Sequence, residues 1–297
     1  MTKDFNNRQN SSNNKTFPKM TKEEYREKKQ IEREEVYRMV DEAAERIVED
    51  PNSFIQYLDT QSRLDKYSAV NALLISSQCP QASQLKSFYD WSDDNVRINK
   101  GEKSISMLEP VEYAKRDGTP GVTYAVKKVF DISQTDAKRS PAPSANKDPK
   151  ALFKTMLESS PVNIDMDYDL AIPDAVAYYD NNKQTIFIKR EVGDSVALAQ
   201  SLAQELAHAQ LSIDSERYSR RDMGFQAVCI GYMLCKKYGI DTRAFSIGSI
   251  PESFKNMEPV EIRKELSKMR NAMSSVHTRV SDVLNKSKQE RNKAYER

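Results

Sequence analysis

Only two histidines, His208 and His277, occur in the 297 residues, so imidazole chemistry has little choice of position. His208 closes the stretch Gln204-Glu205-Leu206-Ala207-His208. On a helix of 3.6 residues per turn, positions 204 and 208 share a face and 205 is adjacent. That spacing lets an H-E-x-x-H helix present two zinc ligands and a general base. Here the first ligand position is Gln, and a neutral amide oxygen is a poor substitute for imidazole toward zinc. What is left is one imidazole and one carboxylate, a pattern met more often in structural histidines than in metal centres. Cys79, Cys229 and Cys235 are too few and too scattered for a disulfide framework or a cysteine zinc site, and they fit a reducing compartment.

A second chemistry is binding to single-stranded nucleic acid, which asks for clustered positive charge and aromatic faces worth about 1–3 kcal/mol per stacked base. Segment 51–136 holds Tyr67 and Trp91 among its aromatics. Arg97, Lys100, Lys103, Lys115, Arg116, Lys127 and Lys128 lie in and around its expected hairpins. Trp91, the single tryptophan, suits a core anchor as well as a stacking platform. The segment carries 10 basic and 11 acidic side chains. Because phosphate contacts dominate affinity, binding requires the basic residues to gather on one face. Nothing resembles a base-reading helix or a zinc finger, so any binding should be sequence-tolerant.

The elements that must position these groups follow from length and pattern. With 38% hydrophobic and 30% charged residues, the chain supports one large or two ordinary domains and excludes collagen-like, low-complexity and disulfide-scaffold classes. Lys+Arg 46 nearly balance Asp+Glu 44, but segment 262–297 alone has 10 basic and 4 acidic side chains. That tail is a candidate contact for an anionic partner, or a solvated helix face. The longest apolar run, 227–235, is far short of a membrane span of roughly 20 residues, and the polar start lacks the apolar stretch of a signal peptide. A cytoplasmic protein without membrane contact is expected.

Residues 1–20 read as disordered and 21–50 as a charged helix, with Ile31, Val36, Met39, Val40 and Ile47 as a thin apolar stripe. Segment 51–136 begins helical and ends in strands. One hairpin is expected to join Val96-Arg97-Ile98 to 104–108 through Asn99-Lys100-Gly101-Glu102, and another to turn at Asp117-Gly118. Residues 137–150 have linker composition. Segment 151–257 reads as a helix, a hairpin around 180–183, a long helix over 195–212 and a second helix ending at Gly239. Segment 258–297 is a basic amphipathic helix whose stripe packs on the body, on a protein partner or on a second copy. The class is α+β, with a helix-plus-antiparallel-hairpin domain, a second α+β domain and a long C-terminal helix.

Several segments, in order, resemble the ArdC-type antirestriction family, also found in LtrC-like proteins of conjugative elements. They are Tyr67-Ser-Ala-Val-Asn71, Leu73-Leu74-Ile75, Trp91, Lys100-Gly-Glu-Lys103, Ile105, Leu108, Pro110 and Val129-Phe-Asp-Ile-Ser-Gln-Thr135. The resemblance covers about residues 30–250. It implies that 51–136 binds single-stranded DNA, with Tyr67 and Asn71 joining the basic residues above, and that 151–257 is a zincin-like metallopeptidase domain. Carried over by position, the family's H-E-x-x-H falls on Gln204, Glu205 and His208, and its third ligand, a Glu of the next helix, falls on Val228. Two of three ligands are then missing, while a catalytic zinc needs about three protein ligands and one open position. The resemblance therefore implies a degenerate site, with Glu205 and His208 as remnants and no cofactor. Gln204 and His208 would bond to each other or to nearby backbone. A zinc peptidase is one alternative, if Asp214, Glu216 or Asp222 completes the ligand set, and a protein-protein interaction module, in which the amphipathic tail and the inert groove hold a partner, is another.

Overall fold

The computed structural model describes residues 20–137, 148–167, 170–172 and 174–295. The start of the chain up to residue 19, read as disordered, lies outside the described residues, as does 138–147 of the expected linker.

Thr21 opens helix α1 (Lys22–Glu49) through a capping box in which its hydroxyl accepts the Glu24 amide and the Glu24 carboxylate accepts the Thr21 amide. Val36, Val40, Ala43, Ala44, Ile47 and Val48 are buried while Ile31 stays exposed, so only the C-terminal part of the stripe meets the core. Asp50 ends α1 and starts α2 (Pro51–Arg63), its carboxylate accepting the amides of Asn52 and Ser53 at 3.1 and 3.0 Å. Ser68 caps α3 (Ala69–Gln78).

Strand β1 (Leu85–Lys86) and short helix α4 (Phe88–Asp93) precede the long hairpin of β2 (Ile105–Ala114) and β3 (Pro120–Asp131), in an antiparallel sheet of order β1-β3-β2. The expected turn at Asp117-Gly118 forms, with Gly118 at φ 81°. The expected hairpin between 96–98 and 104–108 does not. Strand β2 instead pairs with β3 from Ile105↔Val129 to Ala114↔Pro120. Ile98 is left to bridge Thr135, beyond β3, and the Asn99 amide donates to the Gln134 carbonyl at 2.9 Å.

Strand β2 is a sheet edge, and α3 closes part of it with two side-chain amides. Asn71 donates to the Leu108 carbonyl at 2.8 Å and accepts the Leu108 amide at 2.9 Å. Gln78 does the same at Ser106, at 3.0 and 2.9 Å. Two side chains, two helical turns apart, thus imitate the ladder of a neighbouring strand. The motif segments 100–103 and 129–135 also meet. Gln134 accepts the Asp131 amide at 2.9 Å and donates to the Lys103 carbonyl at 2.8 Å and to Glu102 at 3.0 Å. Buried Asp131 accepts the amides of Ser83, Gln84 and Ser133. Burial opposes its charge, but these bonds outweigh it and hold its carboxyl below the usual range.

After α5 (Pro149–Glu158), strands β4 (Asn163–Asp167), β5 (Ala177–Asp180) and β6 (Thr185–Lys189) form a sheet of order β4-β6-β5, with β4 parallel and β5 antiparallel to β6. Helices α6 (Ser195–Ile213), α7 (Gly224–Tyr238), α8 (Glu252–Lys255) and α9 (Pro259–Tyr295) follow, α7 ending on left-handed Gly239 at φ 73°. One apolar core takes residues from both sides of the expected linker: Phe54 of α2 lies 5.5 Å from Phe225 of α7 and 6.0 Å from Phe254 of α8, between ring centres. Asp59 of α2 accepts the Tyr232 hydroxyl at 2.6 Å and Lys236 at 2.9 Å. In α9, Ile262, Leu266, Met269, Met273, Val276 and Val280 are buried, so the stripe of the basic tail packs on the body. The fold is α+β and carries the long C-terminal helix expected.

Helices α6 and α7 touch closely at Gly231. A Cβ there would stand 3.1 Å from the Gln204 Cα, 3.2 Å from its amide nitrogen and 3.0 Å from the Phe245 ring. Gly231→Ala, which would stabilise an isolated helix by about 1 kcal/mol, should therefore destabilise this protein by about 1–3 kcal/mol in urea melts. Asn71→Asp removes the donor to Leu108 and should cost about 1–3 kcal/mol in the same measurement. A neutral result for Asn71→Asp would show that the edge does not depend on the amide clasp.

Candidate functional site

Helix α6 starts at Asp194, whose carboxylate accepts the Val196 and Ala197 amides. It carries Glu205 and His208 into the interior, where they are only 3% and 2% exposed. A carboxylate so placed needs a cation or a set of donors. Arg220, from the loop between α6 and α7, supplies the cation by binding both oxygens, Nη1 to Oε2 and Nη2 to Oε1, each at 2.7 Å. The Tyr179 amide of β5 adds a third bond to Oε2 at 2.7 Å. The guanidinium also lies over the Tyr178 ring, 4.7 Å from its centre. Burial works against the charge of Arg220, but the hydrogen bonds and attraction of Glu205 outweigh it and raise its pKa.

His208 Nδ1 lies 2.9 Å from the Tyr218 hydroxyl. Burial first, and the neighbouring positive charge of Arg220 second, push its pKa from the usual 6.5 down to about 3, so the ring is neutral. Burial pushes the Tyr218 phenol up to about 12. Of the two expected arrangements, a bond between Gln204 and His208 or bonds from each to nearby backbone, neither stands among the contacts of the described residues, and the Nδ1 of His208 meets the Tyr218 hydroxyl. Gln204 instead lies at the close approach to Gly231, and Val228 is one turn before that glycine on the same face of α7, packed against the core.

A divalent metal fits these groups poorly. Both Glu205 oxygens are committed to a guanidinium, Val228 has no donor atom, and a cation beside Arg220 would meet like charge. The carboxylates that could complete a ligand set do not converge. Asp214 accepts from Gln210 at 2.8 Å, and Glu216 and Asp222 are exposed. Among the described residues, no three His, Cys, Asp or Glu side chains stand close enough to hold a metal ion, and Cys79, Cys229 and Cys235 are buried.

The residues singled out for nucleic acid fall in several places. Trp91 is 2% exposed and donates its indole N–H to the Phe130 carbonyl at 2.9 Å, so it is a core anchor and shows no free face. Asn71 is spent on the Leu108 clasp. Arg97, Lys100 and Lys103 are exposed at the base of the β2–β3 hairpin, and Lys115 and Arg116 at its tip. At about 3.3 Å per residue, those clusters are about 30 Å apart. Lys127 and Lys128 are consecutive strand residues and point to opposite faces. Lys127 pairs with Glu109 at 2.6 Å, and Lys128 with Glu32 at 3.4 Å. The hairpin therefore does not gather its basic residues on one face, since alternation splits the pair and carboxylates neutralise it. Tyr67 lies elsewhere, half-buried at the rim of a groove shared with α9.

This architecture is the ArdC-like α+β fold. The solved proteins that share it include the antirestriction protein ArdC of plasmid R388. Its Mn(II)-bound structure matches with a TM-score of 0.56 at 16% identity, over 81% of this chain and 97% of that one. Its metal-free structure matches with a TM-score of 0.50 at 17% identity, over 73% and 86%. An uncharacterized protein of Bacillus anthracis, pXO2-81, is 25% identical over 288 residues, a match that covers 79% of this chain and 48% of that protein. The chain thus spans about half the length of the curated relative it matches. No protein-family model matches it. No helix among the described residues is long and apolar enough to cross a membrane.

Arg220 escaped the sequence reading, which looked to the same loop for carboxylates. The usable signal was a Glu at a buried helical position followed by a loop rich in arginine, Arg217, Arg220 and Arg221. Arg220→Ala should destabilise the protein by about 3–5 kcal/mol, because it leaves a buried carboxylate without its cation. Arg220→Lys should recover less than half of the loss, since an ammonium does not bridge both oxygens. The unfolded chain takes up a proton at His208 near pH 6.5, which the native state refuses until about pH 3. The His208 contribution is therefore complete above pH 6.5 and is lost as pH falls, by about 2 kcal/mol at pH 5. Urea melts of the native protein should lose that much more between pH 7 and 5 than melts of His208→Gln, and equal losses would refute the assignment.

Proposed function

We propose that the chain is a sequence-tolerant, single-stranded-DNA-binding accessory protein, antirestriction-like, of a conjugative or other mobile element. The observation that carries this reading is the fold shared with the antirestriction protein ArdC over 81% of the chain. The plasmid-borne relative in Bacillus anthracis supports the mobile-element context. The zincin-like half is read as a pseudo-metallopeptidase without a resident metal. Supporting this, the residue in the general-base position, Glu205, is closed by a guanidinium, and the first and third ligand positions hold Gln204 and Val228. Three of the roughly four lone-pair sites of that carboxylate are taken by protein donors, which leaves it poorly placed to accept a proton from a water.

A second reading, a metallopeptidase with an unusual ligand set, is favoured by one observation: Glu205 and His208 keep their spacing on α6. Metal analysis of the purified protein separates the two. Well under one zinc or manganese per chain is expected, and stoichiometric metal that disappears in His208→Ala would establish the second reading. For the first, fluorescence anisotropy should show salt-sensitive binding to labelled oligothymidylate at least about tenfold tighter than to duplex of equal length. Absence of binding, or equal binding to both forms, would overturn it.

A further inference from the structure

We propose that the single strand is held in a groove between α9 and the α2–α3 loop, with α9 supplying most of the phosphate contacts. The proposal rests on the single-strand reading above and gives it a site. The groove has a volume of about 880 Å³ and is bounded by that loop, by β2 and β3, and by the N-terminal half of α9. Four cations line it: Lys66 from the loop and Arg263, Lys264 and Lys268 from α9. Tyr67 on the loop and Tyr124 on β3, the latter 45% exposed, add aromatic faces beside them.

Two of the cations are already paired, Arg263 with Asp41 at 3.3 Å and Lys268 with Glu265 at 2.6 Å. Lys66 and Lys264 have no side-chain partner among the described residues and are exposed. The walls are fixed to each other, since Arg270 of α9 donates to the main-chain carbonyls of Asp65 at 3.0 Å and Tyr67 at 3.2 Å. A groove held in this way needs little ordering when it is filled. Clustered cations next to stacking surfaces are what an unpaired strand requires, because its bases are free to lie on aromatic rings while its phosphates meet lysine and arginine. A duplex keeps its bases stacked inside and gains nothing from the tyrosines.

The test is anisotropy of a fluorescein-labelled 20-mer of thymidylate with the full chain. The exposed pair Lys66→Glu/Lys264→Glu should weaken binding about tenfold or more. The corresponding neutral pair, Lys66→Ala/Lys264→Ala, should lower the log–log salt slope by about 1.4, from two phosphate contacts at about 0.7 each. Tyr124→Ala should weaken binding about 5-fold or more. Lys150→Glu/Lys154→Glu, the same change of charge on α5, should stay within about twofold. If Lys115→Glu/Arg116→Glu abolished binding while the Lys66/Lys264 pair left it intact, the groove would be refuted and the single-strand reading would stand. If the native protein bound no oligonucleotide, both would fall. Equally effective competition by polyglutamate would assign the groove to an acidic polypeptide and overturn the proposal. Should the glutamate pair unfold the protein, cross-linking of a bromouracil-substituted oligonucleotide decides: attachment at Tyr67 or Tyr124 peptides supports the groove, and attachment confined to the hairpin tip refutes it.

Discussion

A negative charge buried to 3% exposure on α6 constrains everything around it. An unpaired carboxylate at Glu205 would carry the full cost of leaving water, which a tightly packed helix cannot offset by itself. The chain meets the demand with a guanidinium that binds both oxygens and a main-chain amide that binds one of them again. These bonds fix more than a side chain. They draw the loop between α6 and α7 over the end of β5, stack Arg220 on Tyr178, and bring Tyr218 to His208. The protonation state of His208 follows from the same pair, since burial and an adjacent cation both favour the neutral ring. An H-E-x-x-H helix with its metal solves the same electrostatic problem with an inorganic cation. Here the positive charge is part of the loop.

From α6 the packing continues without a gap into the N-terminal half. Gly231 lets α7 lie against the backbone of Gln204, and a neighbouring face of α7 reaches α2 through Tyr232, Lys236 and Asp59. The loop after α2 is then held by Arg270 of α9, whose apolar stripe completes the shared core. The groove proposed for DNA and the closed carboxylate of α6 are thus two features of one core. The N-terminal half depends on the C-terminal helix for one wall of its groove.

Much of this was legible in the sequence. The spacing of Gln204, Glu205 and His208 placed them on one helix, Gly239 marked the end of the next, α7, and the amphipathic pattern of 258–297 gave α9. Register was harder. Val96-Arg97-Ile98 alternates like a strand, but a neighbour is chosen by the number of pairs it offers, and β3 offered β2 its whole length. Roles that depend on a distant partner were hidden as well. Asn71 and Trp91 look exposed-polar and aromatic to any binding argument, and only the positions of Leu108 and Phe130 show that their polar atoms are satisfied inside. Arg220 was invisible for the same reason, because its partner lies 15 residues away across a loop.

The charge count by segment misled for a related reason. It set ten basic residues against eleven acidic ones in 51–136 and assigned the excess to the tail. Counterion release depends on cations close to the phosphate track, not on the total along a stretch of chain. Folding pairs Lys127 and Lys128 with Glu109 and Glu32, on opposite faces of a strand, and so removes two cations on which the hairpin argument relied. It also brings Lys264 of the tail to the same groove as Lys66 of the loop, about two hundred residues earlier in the chain. A nearly neutral protein can thus present a positive, aromatic surface when two segments that are each unconvincing alone form opposite walls of one groove. The positive tail, the feature least connected to the aromatic segment in sequence, supplies most of the charge there.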